Sequence, residues 1–154
     1  MTAYRGRLLS AQPQTGTPVY AAAFIRERRI VLERELLSKP AKLRLILVHE
    51  LFHFVWARLG NTVRRQFSDL LRNEVRAGAR GELGESAGVQ KARLKSSTRD
   101  VSPSLWRNYI CESFCDSAAW FYTGIAFADS RLAGRWRDRR RRWLRSTFDR
   151  IRAC

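Results

Sequence analysis

The spacing of apolar residues changes several times along the chain, and each change predicts an element. Two short runs rich in β-formers, 19–25 and 29–33, flank Arg26, Glu27 and Arg28 and predict a hairpin or two adjacent strands. A helix follows over about 39–59, opened by the Ser38 hydroxyl with Pro40 in its first turn and stopped by Gly60 and Asn61. Leu43, Leu45, Ile46, Leu47, Val48, Leu51, Phe52, Phe54, Val55 and Trp56 make it apolar almost all round, the pattern of a central buried helix. Over 62–77, Val63, Phe67, Leu70, Leu71 and Val75 recur at helical spacing, with Arg64, Arg65 and Arg72 outward. The glycine-, serine- and charge-rich stretch 78–103 predicts a mobile loop with a short helical turn at 88–95. Ser102 and Pro103 then open a helix that runs to Gly124, with Trp106, Tyr109, Ile110, Phe114, Phe121 and Tyr122 on a broad apolar face. A last helix starts near Asp129 and Ser130. It puts Leu132, Trp136, Trp143, Leu144, Phe148 and Ile151 on one side and Arg135, Arg137, Arg139, Arg140, Arg141, Arg142 and Arg145 on the other. Residues 1–17 lack periodicity and predict a loosely held arm, with order starting near Pro18.

The helix predicted over 39–59 carries polar residues that its apolar surroundings do not explain. His49 and His53, the two histidines of the chain, bracket Glu50 in an HExxH pattern. Residues four apart share one helix face, so both imidazoles can reach a single tetrahedral Zn²⁺ while Glu50 lies beside its open position. A polar face inside an apolar helix needs a partner to offset its desolvation, and metal coordination supplies one. Two histidines leave a catalytic zinc one protein ligand short, and that ligand must be a carboxylate or a thiolate. Glu112 is the best candidate, because in Cys111-Glu112-Ser113-Phe114-Cys115-Asp116 a second carboxylate follows one turn further on the same face.

These two motifs together resemble the gluzincin metallopeptidases, which carry HExxH on one helix and a glutamate ligand in an ExxxD pattern on a second. The Glu-x-x-Cys-Asp form at 112–116 is similar to that of membrane gluzincins, including the antibiotic-sensor and prenyl-protein peptidases. The size of the chain and the run 29–33 ahead of the motif helix are closer to soluble minimal gluzincins and ImmA/IrrE-like proteins, which usually have glycine where this chain has Phe52. The resemblance covers roughly 18–124. It implies an α+β, zincin-like fold: a short sheet on the HExxH helix, a second helix bringing Glu112, and a basic C-terminal helix outside. It also implies a zinc-dependent peptidase in which His49, His53 and Glu112 hold Zn²⁺ and Glu50 takes a proton from the attacking water. Asp116 would accept the far ring N–H of His49. The strand with Ile30, Val31 and Leu32 would be the edge on which an extended peptide pairs. Tyr109 and Tyr122 are further candidates, as donors to the oxyanion or as core aromatics.

Composition bounds the rest. A chain of 154 residues, 45% of them apolar, has room for one core and predicts a single domain. The longest apolar run, 43–56, is interrupted by Arg44, His49, Glu50 and His53 and is too short for a membrane span, and no stretch of signal-peptide length follows the first arginines, so the expected location is the cytoplasm. Cys111, Cys115 and Cys154 do not look like a disulfide framework; Cys111 and Cys115 read as small buried residues, though one helical turn apart they are also spaced to hold a metal. The net charge of +16 would attract any polyanion, with the Arg135–Arg145 face as the candidate contact. Two other functions compete with the peptidase: a zinc-stabilised scaffold or regulator without turnover, and a basic nucleic-acid-binding protein in which the histidine motif is incidental.

Overall fold

A computed structural model describes residues 2–4, 7–9, 18–96, 102–128 and 130–152. The described chain is mostly helical with two small antiparallel sheets, an α+β arrangement. The first sheet joins β1 (Thr2–Tyr4), β2 (Arg7–Leu9) and β3 (Pro18–Val19) in that order. The expectation of a loose arm before Pro18 is thereby corrected at 2–4 and 7–9; its part at 10–17 lies outside the described residues. The second sheet is the predicted hairpin, β4 (Ala21–Phe24) against β5 (Arg29–Leu32), with Ala21 opposite Leu32 and Phe24 opposite Arg29. Its turn sets Arg28 at a φ of 52°, which the Arg28 N–H to Ile25 carbonyl bond of 3.3 Å helps to hold.

After a 3₁₀ turn at Arg34–Ser38 comes α1 (Pro40–Arg58). Pro40 opens it as predicted, but Ser38 does not cap it, because its hydroxyl donates to the Glu35 carbonyl at 2.8 Å. The helices α2 (Asn61–Arg76), α3 (Glu85–Ser96), α4 (Pro103–Thr123) and α5 (Gly134–Arg152) complete the fold. Ser102 caps α4 by accepting from the Ser104 N–H, and Gly124, left-handed at φ 68°, ends it. The last helix starts at Gly134, later than the expected Asp129–Ser130, because 130–133 run outside any helix past Glu82, whose carbonyl takes the Arg131 and Leu132 N–H groups; Asp129, Cys154 and the 97–101 portion of the predicted loop lie outside the described residues.

The central buried helix is α4, and the assignment of that role to α1 is corrected. Ten consecutive or near-consecutive residues of α4 are buried, whereas α1 buries Leu45, His49 and Glu50 and leaves Leu51 47% exposed. The reason is geometric: α1 has the hairpin and α4 against it, and the rest of its apolar surface is half-covered. Phe114 of α4 anchors the main core, with ring centroids 5.0 Å from Trp56, 5.5 Å from Phe67 and 5.8 Å from Phe52. Burying one such side chain is worth roughly 1.5–3 kcal/mol. A second apolar cluster joins Leu83, Trp120, Leu132 and Trp136.

Where a mobile loop was expected after α2, the chain is tied down. The carbonyl of Glu82 accepts from the N–H groups of Arg131 and Leu132 at 2.9 and 3.2 Å. Gly81, at φ 72°, passes so near the Arg131 carbonyl that a Cβ would come within 2.5 Å of its oxygen. The predicted helical turn at 88–95 is a twelve-residue helix, α3, packed on α4. Arg140 departs from the expected solvated arginine face: it is fully buried and ion-paired to Glu74 and Glu82. Arg135, Arg141, Arg142 and Arg145 are exposed as expected, with Arg137 and Arg139 half-buried. Among the described residues, no helix is long and apolar enough to cross a membrane.

Candidate metal centre

Two helices build the site. From α1 come His49, Glu50 and His53, and from α4, packed alongside, come Cys111, Glu112, Cys115 and Asp116. The i, i+4 spacing brings the two imidazoles together with their Nε2 atoms 3.2 Å apart. The Glu112 carboxylate lies over both, Oε2 3.4 Å from His49 Nε2 and Oε1 3.9 Å from His53 Nε2. Donors on a tetrahedral ion with bonds of about 2.0–2.1 Å stand about 3.3 Å from one another, the spacing of the two Nε2 atoms, whereas Glu112 offers a different oxygen to each ring. The connection between His53 and Glu112 holds α2 and α3, and α1 packed against α4 closes that distance.

The far sides of both rings are held. His49 Nδ1 lies 2.9 Å from Asp116 Oδ1, which holds a ring proton on Nδ1 and turns Nε2 toward the site. Asp116 is itself clamped: its Oδ2 accepts the Ala87 N–H at 3.1 Å, at the start of α3. Gly84 makes the clamp possible, since a Cβ there would fall 2.6 Å from the Asp116 carboxylate. His53 Nδ1 lies 3.4 Å from the Cys111 sulfur. The place of Asp116 agrees with its expected role. The contacts of Cys111, Gly84 and Ala87 were missed, and only Cys111, beside Glu112 in the second motif, carried any signal in the chain.

Burial would make His49 a weaker base, but Asp116 and Glu112 outweigh it and raise its pKa to about 10. Burial pushes Glu112 up, and His49 and His53 bring it below the ordinary carboxylate range. Glu50, 8% exposed, is pushed up by burial, against a hydrogen bond from the Ala23 N–H and the two imidazoles. His49, His53 and Cys115 also form a group that could hold a metal ion, with one ligand atom from each within 4.8 Å of the others. The two possible third ligands differ in character. Cys115 is fully buried in the apolar core, and burial drives its thiol well above its usual pKa, toward the protonated form that ligates poorly. Glu112 is ionised and opens onto solvent space.

That space is a cleft of about 1000 Å³, lined by His49, Glu50, Glu112 and Asp116 on one side and by Ser86, Val89 and Gln90 of α3 on another. Three substrate-contact expectations are corrected here. Ile30, Val31 and Leu32 do not line the cleft; Tyr20 and Ala21 at the start of β4 do, and β4 is the strand whose Ala23 reaches Glu50. Tyr109 is fully buried, its hydroxyl donating to Glu82 at 2.5 Å. Tyr122 stacks on Phe52 with centroids 5.2 Å apart and is also outside the cleft lining. The chain matches no protein-family model, no curated protein and no solved structure.

Proposed function

We propose that the chain is a zinc-dependent metallopeptidase of zincin-like, gluzincin-type architecture, hydrolysing peptide bonds at the α1–α4 site. The observation that carries this reading is the convergence of His49 Nε2, His53 Nε2 and the Glu112 carboxylate beside a buried Glu50 at an open cleft. Two neutral imidazoles and one carboxylate suit zinc. Bound there, zinc would acidify a water and polarise the scissile carbonyl. His49, His53 and Glu112 hold the ion, while Asp116 and Cys111 fix the two rings. Glu50 takes a proton from the attacking water and returns it to the leaving amine; its burial, by raising its basicity, brings it closer to neutral pH for both transfers. The β4 edge, which has no second strand beside it among the described residues and begins at the cleft, supports an extended peptide laid there, in place of the β5 edge first expected.

Elemental analysis of chain purified without a metal-affinity tag tests the centre. About one zinc per chain is expected in the wild type, with loss in His49→Ala and Glu112→Ala and retention in Cys115→Ser. Zinc retained by Glu112→Ala and lost from Cys115→Ser would transfer the third ligand to the thiol. A peptide-library digest tests the chemistry: Glu50→Gln should keep zinc and lose cleavage by two or more orders of magnitude (roughly 10²–10⁴-fold). Full turnover by Glu50→Gln would remove Glu50 as the base.

A further inference from the structure

The cleft is acidic in a strongly basic chain. Glu33, Glu35, Glu50, Glu85, Glu112 and Asp116 all line it, whereas Lys42 is the one lysine or arginine among its lining residues, although the chain has 30. The Lys42 ammonium is engaged at the rim, 3.4 Å from the centroid of the Tyr20 ring. Glu50, Glu112 and Asp116 belong to the metal centre, and Glu35 is paired with Lys39. Glu33 is different. It is 7% exposed, its backbone is fixed by a 2.7 Å bond from its N–H to the Tyr20 carbonyl, and its carboxylate has no hydrogen bond or ion pair among the described residues. Its carboxylate oxygens are not among the fully enclosed polar atoms, and Glu33 lines the cleft, so a cation that enters there meets a negative charge not held in an ion pair among the described residues. Glu85, exposed in the first turn of α3, adds a second negative charge across the cleft.

Building on the peptidase reading, we propose that the cleft selects a cationic side chain: the substrate is a peptide that places a lysine or arginine beside the scissile bond, with its charged end on Glu33. Zinc neutralises part of the charge of Glu50, Glu112 and Asp116 and none of the charge of Glu33, so the demand for a cation persists in the loaded site. The preference must be local. At long range a chain of net charge +16 repels a cationic peptide, and the attraction operates within a Debye length of about 10 Å of the cleft.

The test is binding of short fluorescein-labelled alanine-rich peptides with one central arginine, lysine or glutamate to zinc-loaded Glu50→Gln chain, read by fluorescence anisotropy. The arginine and lysine peptides should bind about ten-fold or more tighter than the glutamate peptide. Adding Glu33→Gln should erase most of that ratio, and adding Glu85→Gln, at an exposed position that leaves folding untouched, should reduce it a few-fold. Equal binding of the arginine and glutamate peptides, or a ratio insensitive to both variants, overturns the proposal. Because binding is read without turnover, cation selection through Glu33 in a wild-type chain that cleaves nothing would defeat the peptidase reading and leave this one standing. Cleavage by the wild type with no basic residue enriched near the cut would do the reverse.

Discussion

Buried acids occur in two regions of this molecule, and they are neutralised in opposite ways. Between α2, α3, α4 and α5, Glu74 and Glu82 meet Arg140 at 2.7 and 2.8 Å, Lys91 reaches Glu82 at 2.9 Å, and the Tyr109 hydroxyl completes the shell. Two carboxylates face two cations, and the network is closed. Between α1 and α4, Glu50, Glu112 and Asp116 surround two imidazoles, and none has a lysine or arginine in ion-pair contact among the described residues. With 30 basic side chains in the chain, this is not scarcity. One region carries permanent guanidinium and ammonium counter-charges, whereas the other relies on imidazoles whose Nε2 protons a metal arriving through the cleft can replace, and that difference is the physical case for a metal at the second.

The contrast breaks first at Arg140. Replacing Arg140 with methionine leaves Glu74 and Glu82 buried without their main partner, which should cost about 3–5 kcal/mol in urea unfolding. Replacing Arg140, Glu74 and Glu82 together with apolar residues of similar volume should recover most of that loss. In the metal-free chain, Glu112→Ala should cost less than Arg140→Met, because the Glu112 side chain is 25% exposed and His49 keeps Asp116 as its partner. A small effect at Arg140, or a large one at metal-free Glu112, would dissolve the distinction between a structural and a functional cluster.

Acid sharpens the same contrast. Burial pushes Glu82 up, but Arg140, Lys91 and the Tyr109 hydroxyl outweigh it and hold the carboxyl at about 2. A carboxyl that ionises more readily in the folded chain stabilises it fully above its ordinary value near 4.5, and that contribution is lost as pH falls through about 2. Glu74 works in the other direction, since burial leaves it above the ordinary range despite Arg140, so its protonation does not add to the loss. Unfolding free energy should therefore drop between about pH 4.5 and 2, and the drop should be much shallower in Glu82→Gln. An unchanged slope in that variant would assign acid sensitivity elsewhere.

Local patterns were legible in the chain where local forces decide. The hairpin, the ends of α4 and the face of α2 follow from two short apolar runs around a charged turn, from Ser102, Pro103 and Gly124, and from helical spacing. Misread elements were those fixed by distant partners. Nothing near 78–96 announces that Glu82, Lys91 and Ala87 will pair with Arg140, Gly81 and Asp116, so the composition of a loop concealed a packed helix. Arg140 sits in an arginine run, and only the tertiary position of two acids 58 and 66 residues away separates it from its neighbours. The metal centre was more legible than the cleft because its motifs are short and helical, so i, i+4 spacing fixes the imidazole pair. The cleft walls, β4 and α3, depend on packing, which is why Tyr20, Ala21 and Glu33 line it and Ile30, Val31, Leu32, Tyr109 and Tyr122 do not.

How firmly the candidate metal centre is held separates two glycines four residues apart. Asp116 needs both carboxylate oxygens as acceptors, one for His49 Nδ1–H and one for the Ala87 N–H. An asparagine there has one acceptor oxygen, and its NH₂ would face one of two donors, so Asp116→Asn should weaken zinc binding by about 10–100-fold. Gly84→Ala should act in the same direction without touching a charge, because its Cβ would meet the Asp116 carboxylate at 2.6 Å and displace it from the ring. Gly88→Ala is the control. Its Cβ would meet nothing within 4 Å, and inside α3 the change should raise stability by about 0.5–1 kcal/mol and leave zinc affinity alone. Zinc competition against a chromophoric chelator reads all three. If Gly84→Ala binds zinc as tightly as Gly88→Ala, α3 is only a wall of the cleft; if it binds more weakly, α3 is coupled to the metal through Asp116, and contacts made along α3 can reach His49.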